Sequence, residues 1–149
     1  VSHTKSRGKV FESILEIGSG CGYQSAILSF FSEEVHAIER IKPLVQKSRE
    51  NLSNLKINNV LVKHGDGYQD WEKEKKYDGI ICAAAPREYP NDLISVLNND
   101  AKLVIPVGGA TQKLNMITKI NQDEIKEEEF DDVSFVPMLA GKSEDGNDV

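Results

Sequence analysis

Three acidic side chains stand where short apolar runs give out. Glu16 lies inside Ile14-Leu15-Glu16-Ile17, Glu39 ends Val35-His36-Ala37-Ile38-Glu39, and Asp66 follows Val60-Leu61-Val62-Lys63-His64-Gly65. The first run passes directly into a G-x-G-x-G turn, Gly18-Ser19-Gly20-Cys21-Gly22. Glycine at 18 and 20 lets a ligand lie against the main chain at a helix N-terminus, and the charge of Glu16 suits a cationic ligand better than a pyrophosphate. Glu39 comes 17 residues after Gly22, near the spacing at which an acid on a second strand accepts hydrogen bonds from ribose hydroxyls. Asp66, between Gly65 and Gly67, would turn a carboxylate into the crevice at the strand ends, where it suits the exocyclic amine of adenine. Each acid also has a plain structural reading: Glu39 could start a helix or pair with Lys42, and Asp66 could close an Asp-Gly turn. Their conjunction at three successive strand ends favours a ligand site.

The elements that must position these acids can be read from periodicity. Tyr23, Ala26, Ile27, Phe30 and Phe31 predict a helix with one apolar face on a sheet, and Leu44, Val45, Ser48, Leu52 and Leu55 predict a second, with Pro43 at its start. Residues 1–12 suggest a frayed helix or loop, and Glu72 to Lys76 a solvated helical end. Tyr77 to Cys82 reads as a fourth strand, with the small residues Ala83 to Ala85 leaving room beside a ligand at its exit. Asn91 can cap a helix carrying Leu93, Ile94 and Leu97, and Leu103 to Gly109 is a fifth strand. Leu114, Met116, Thr118 and Ile120 alternate. Paired with Val133 to Met138 across a solvated acidic turn, Glu124 to Asp132, they suggest an antiparallel edge hairpin. The expected fold is a doubly wound α/β, Rossmann-like sheet, mostly parallel with an antiparallel edge pair.

At 149 residues, 39% hydrophobic and 28% charged, the chain can bury a core without disulfides. No segment approaches the roughly 20 apolar residues that span a bilayer, and none reads as a secretion leader, so a cytoplasmic address is the default. The net charge of −6 argues against nucleic acid as the main partner. Cys21 and Cys82 are expected reduced, small and buried. Neither they nor His3, His36 and His64 show metal-ligand spacing, so no metal is expected.

Taken together, Leu15-Glu16-Ile17-Gly18-Ser19-Gly20-Cys21-Gly22-Tyr23-Gln24, Glu39-Arg40-Ile41-Lys42, His64-Gly65-Asp66-Gly67, Tyr77-Asp78-Gly79-Ile80-Ile81, Ala84-Ala85-Pro86, Leu103-Val104-Ile105-Pro106-Val107-Gly108 and Phe135-Val136-Pro137 closely resemble the bacterial protein-L-isoaspartate O-methyltransferases. The likeness runs in order from about Ile14 to Met138. It implies a class I methyltransferase that uses S-adenosyl-L-methionine to methylate the free carboxylate of L-isoaspartyl residues in damaged proteins, a repair reaction, acting as a monomer. Carried over by position, Glu16, Gly18, Ser19 and Gly20 would line the methionine end of the cofactor. Glu39 would hold the ribose diol, Asp66 with the Gly67 N–H would read adenine, and Ala84 and Pro86 would lie on the substrate side. The residues before Ile14 do not match the family's G-Q-T-I-S-type segment, which lines the substrate carboxylate pocket. The expectation is therefore one cofactor-binding domain over 1–140 without that segment and a disordered tail over 141–149. No catalytic residue is identifiable, and cofactor binding is expected to outlast methyl transfer.

Three rival readings stand beside this one. The nearest is a class I methyltransferase with a small-molecule or RNA substrate, against which this chain has Ala83-Ala84-Ala85-Pro86 where amine-methylating relatives carry an Asn/Asp-Pro-Pro-Tyr type of loop; a nicotinamide dehydrogenase accounts less well for the G-x-G-x-G turn, Glu16 and Asp66. An inactive cofactor-binding module stays open, to be separated by assaying methyl transfer.

Overall fold

Ile14, Leu15 and Ile17 are 4%, 0% and 3% exposed, because the strand they form, β1 (Phe11–Ile17), is flanked on both edges and covered on both faces. The computed structural model describes residues 9–147. In chain order β1 is followed by α1 (Tyr23–Ser29), β2 (Ser32–Glu39), α2 (Lys42–Asn54), β3 (Val60–His64) and β4 (Tyr77–Cys82), then by α3 (Asn91–Ser95), β5 (Leu97–Gly108), β6 (Gln112–Asn121) and β7 (Glu124–Val133). The seven strands make one sheet, β3-β2-β1-β4-β5-β6-β7. All pairs from β3 to β5 are parallel and the last two antiparallel, as the doubly wound, Rossmann-like reading expects.

Strand alternation sorts the side chains into two layers. Ala37 and Val62 join Ala26 of α1 and Val45 and Leu52 of α2 on one face. Leu15, Ile17 and Ile38 join Trp71, Tyr77, Leu93, Leu103 and Ile117 on the other. Trp71 therefore belongs to the core. Register brings the carboxyl ends of the parallel strands to a common edge: Ile17 pairs with Ile38 and Cys82, and Glu39 with His64.

Several local expectations give way to tertiary context. The helix α1 turns Ser25, Ala26 and Ser29 to the sheet, while Tyr23, Ile27 and Phe30 are 75%, 43% and 66% exposed. Small residues let the helix lie close, so the large apolar ones face outward. Residues 66–76 carry turns and bends and no helix. In α3, Asn91 is the first helical residue and caps nothing with its side chain, and Leu97 already opens β5. Cys21 is exposed; Cys82 is buried, and burial raises its thiol well above the ordinary range.

The acidic stretch is no turn. It is β7 itself, in register with β6 from Asn121↔Glu124 to Gln112↔Val133, and its outward charges suit a sheet edge. Phe135 to Met138 is not its hairpin partner but a separate segment, bridged to β4's exit at Ala85↔Pro137. Of the frayed N-terminal element, residues 1–8 lie outside the described residues, and Phe11 and Glu12 belong to β1. Of the expected tail, residues 148–149 also lie outside. Residues 141–147 are held against the sheet's edge, with Ser143 only 4% exposed.

Candidate functional site

At the carboxyl ends of β1, β2 and β4 lies a cavity of about 390 Å³, within the range of small-molecule sites. Gly18 and Gly20 form its floor, Glu39, Arg40 and Ile41 one side, and Gly67, Ala83 and Ala84 another. Pro137, Met138, Leu139 and Gly146 close it. Of the residues singled out in the sequence, Gly18, Gly20, Glu39, Gly67 and Ala84 thus meet around one space. Hydrogen bonds between the strand ends fix its frame: Gly18 N–H to Ile38 O at 2.8 Å, Gly65 N–H to Glu39 O at 3.0 Å, and Ala83 N–H to Ile17 O at 2.9 Å.

Glu39 is 6% exposed. Its Oε1 accepts from Gly20 N–H at 2.9 Å and its Oε2 from Ile41 N–H at 3.1 Å. A carboxylate has about four acceptor positions, so each oxygen keeps capacity for a ligand hydroxyl while the backbone locks its orientation. Gly67 is required by close approach: a Cβ there would lie 2.5 Å from Ile17 Cγ2 and 3.1 Å from Met138 Cε.

The remaining candidates sit elsewhere. Glu16 is not at the mouth. It is fully buried on the α1 face, where Ser25 Oγ donates to Oε1 and Gln24 Nε2 donates to Oε2 at 2.9 Å. Position 16 alternates away from Leu15 and Ile17, so the acid ties β1 to α1 and does not line the cavity. Burial raises its carboxyl above the ordinary range, the hydrogen bonds from Ser25 and Gln24 oppose that, and the charge of Glu39 adds to it. Ser19 is also buried, its Oγ 3.5 Å from Ser48 Oγ of α2. The third glycine of the turn serves packing too: a Cβ on Gly22 would meet Ser48 Cα at 3.3 Å.

Asp66 lies beside the cavity with its carboxylate turned into the surrounding loops. Oδ1 accepts from Tyr68 N–H at 2.8 Å, and Oδ2 accepts from Gly141 N–H at 2.9 Å and Gln69 Nε2 at 3.3 Å. Pro86 belongs to a second, wider cavity of about 1070 Å³ over the ends of β4, β5 and β6, which also contains Tyr68, Arg87, Tyr89 and Phe135. The two cavities share Pro137, Met138 and Leu139.

Sequence reasoning did not find what holds that shared wall. Backbone bonds tie it to Ala85 (Ala85 N–H to Val136 O at 2.8 Å, Met138 N–H to Ala85 O at 2.9 Å). Gln112 pins Phe135 from both sides, donating Nε2 to its carbonyl at 2.9 Å and accepting its N–H at 2.8 Å. The Tyr68 hydroxyl donates to Met138 O at 2.7 Å, and burial, with the charge of Asp66, raises the phenol's pKa and keeps it protonated. Nothing in the local pattern around Gln112 or Tyr68 signals these contacts. Among the described residues no cluster of three or more histidine, cysteine or carboxylate side chains could hold a metal ion.

Known proteins resemble this chain in sequence and fold. Residues 9–143 match the family model for protein-L-isoaspartate(D-aspartate) O-methyltransferase (PCMT). A protein-L-isoaspartate O-methyltransferase from an Azoarcus species is 43% identical over 137 residues, covering 92% of this chain and 63% of that protein. One from Aliivibrio fischeri is 43% identical over 130 residues, covering 87% of this chain and 62% of that protein. This chain therefore spans somewhat under two thirds of the length of the curated relatives it matches. A Plasmodium falciparum protein of the same description, crystallised with S-adenosyl-L-homocysteine, superposes with a TM-score of 0.75 at 32% identity, covering 88% of this chain and 67% of that one. With the family model matched over nearly all of the described residues, the chain belongs to the protein-L-isoaspartate(D-aspartate) O-methyltransferase family.

Proposed function

We propose that this chain binds S-adenosyl-L-methionine in the narrow cavity and directs methyl transfer to the free carboxylate of L-isoaspartyl residues in peptides and proteins. The observation that carries the reading is the adjacency of the two cavities, Ala84 lining one, Ala85 and Pro86 the other, and Pro137 to Leu139 forming a wall of both. The residues fit a nucleoside cofactor: Glu39 offers acceptors to a diol, Gly18 and Gly20 bare main chain, and Gly67 a surface without a Cβ. Such a cofactor supplies an electrophilic methyl on a sulfonium when bound.

What remains for the chain is positioning. A carboxylate is already ionised near neutral pH and is itself the nucleophile, so no general base is required and none is assigned. Ala84 and Ala85 put little bulk between the two cavities, while Met138, 8% exposed, and the pinned 135–139 segment cover the wall they share. Alignment of this kind supplies a large share of a methyl-transfer barrier reduction. Isoaspartyl peptides and proteins are the partners proposed, with the chain acting as a cytoplasmic monomer; no described helix is long and apolar enough to cross a membrane.

The test pairs calorimetric binding of S-adenosyl-L-homocysteine with transfer of labelled methyl to two peptides, one isoaspartyl and one with ordinary aspartate. Expected are binding and slow ester formation confined to the isoaspartyl peptide. Equal labelling of both peptides would overturn the substrate assignment, and binding without any labelling would leave a cofactor-binding module.

A further inference from the structure

At the amino ends of β4 and β5, the end of the sheet opposite both cavities described above, lies a third cavity of about 860 Å³. It opens between α3 and the turn that joins β6 to β7. Two lysines from different elements line it: Lys76, directly before β4, and Lys119, near the end of β6. Their ammonium groups meet at one acceptor. Lys76 Nζ donates to Ser95 O, and Lys119 Nζ donates to Leu97 O at 3.0 Å and to Ser95 O at 3.4 Å.

Lys119 is only 8% exposed, a rare state for a lysine without an opposite charge. Neither lysine forms an ion pair with a described carboxylate. Asp123 lines the cavity from the β6–β7 turn but is exposed. Asp78, tied to Asn98 of the wall through one oxygen, accepts the Glu12 and Ser13 N–H groups with the other. Burial, and after it the charge of Lys76, lowers the pKa of the Lys119 amine, so like charges converge with nothing to offset them.

Capping of α3 accounts for part of this arrangement, since a cation is favourable beside the last carbonyls of a helix. One lysine suffices for that, and the second adds repulsion. An ammonium carries three hydrogens, so beyond these carbonyls Lys76 keeps two and Lys119 one. Amides of Asn91, Asn99 and Gln122 stand on the same wall, and Ile94 and Ile125 give it an apolar side.

We propose that this cavity is a binding site for a small organic anion, a carboxylate or phosphate on a partly apolar body, held by Lys119 and Lys76. The site shares no residue with the narrow or the wide cavity apart from the helix α3 that separates it from the latter, and it does not depend on the cofactor reading. A bound anion offsets both charges and stabilises the fold by mass action.

The experiment titrates the full chain with phenyl phosphate, benzoate and phenol at low ionic strength, following backbone amide shifts by NMR. Expected is saturable binding of at least one of the two acids, with the largest shifts at Ser95, Leu97, Lys119 and Gln122, and no such response to phenol. The acid that binds more tightly identifies the anion. Lys119→Met should weaken that binding about tenfold, the loss of a charge-assisted hydrogen bond. Lys76→Met should weaken it about threefold, because that lysine is exposed. Lys47→Met, at an exposed position of α2 outside the cavity, removes the same charge and should change nothing.

Shifts that do not saturate, phenol binding as tightly as the acids, or equal weakening in all three variants would overturn the proposal and leave the lysines as caps of α3. Should Lys119→Met not fold, the shift map of the parent and the titration of Lys76→Met decide the matter.

Discussion

The two cavities that share Pro137, Met138 and Leu139 are built from different materials. The narrow one sets bare main chain, at glycines 18, 20, 67 and 146 and the β2–α2 turn, among apolar side chains such as Ile17, Ile38 and Leu44, with Glu39 fixed by two backbone N–H groups. The wide one is lined by side chains on loops, among them the exposed Arg87 and Glu88, and Arg87 makes no hydrogen bond or ion pair with any described residue. A backbone frame is paid for once by the fold and presents the same shape to every ligand; a side-chain frame adapts and discriminates. That difference is what the proposed function asks for, an invariant cofactor in one cavity and a variable peptide in the other.

That contrast can be broken most forcefully at Gly67. Gly67→Val should abolish S-adenosyl-L-homocysteine binding and lower unfolding stability by about 1–3 kcal/mol, since the new side chain collides with Ile17 and Met138. Calorimetry and urea unfolding report the two effects, and a variant that still binds would show the wall to be soft. Glu39→Ala should weaken the same affinity by about 1–3 kcal/mol, and an unchanged titration would remove Glu39 from the ligand's contacts.

Glu16 sharpens the comparison by being a strand-end acid that faces neither cavity. Its pKa is raised in the folded state, so its contribution to stability is complete below the unfolded carboxylate range and is lost as pH rises through the folded value. Glu16→Gln, which imitates the protonated form, should gain on the parent by about 1 kcal/mol as pH climbs from about 4 toward neutrality. Unfolding curves across that range check the sign. Cofactor affinity should stay unchanged, and a large loss would return Glu16 to the site.

Arg87 should give the smallest effect. Arg87→Ala is expected to raise KM about two- to fivefold for isoaspartyl peptides with acidic neighbours, leaving kcat and S-adenosyl-L-homocysteine binding unchanged. A matched fall in kcat would place the guanidinium nearer the reacting atoms than the wide cavity suggests.

Much of the narrow cavity was legible before any coordinates. Gly18, Gly20, Glu39 and Gly67 declare themselves because tight turns demand residue types that few alternatives satisfy, and these turns follow apolar runs of strand length. The wide cavity was not, beyond Pro86. Gln112, Tyr68 and Arg87 carry no local pattern, and their roles follow from contacts such as Gln112 with Phe135, 23 residues apart in sequence. The same limit misled the reading of Glu124 to Asp132, where six acids suggested a solvated turn. Every residue of that stretch is exposed or only partly buried, so the ladder with β6, not burial, makes it a strand.

From the sequence alone came the parallel sheet, its glycine turn and an acid at each of three strand ends, because backbone angle and side-chain period are local demands written in residue type. The tertiary structure decided where each carboxylate points. Parity along β1 sends Glu16 under α1, paired backbone N–H groups aim Glu39 at the cavity, and a polar segment 75 residues distant in sequence engages Asp66. Such outcomes depend on which donors arrive from elsewhere in the chain, and a buried carboxylate takes whichever donors satisfy it.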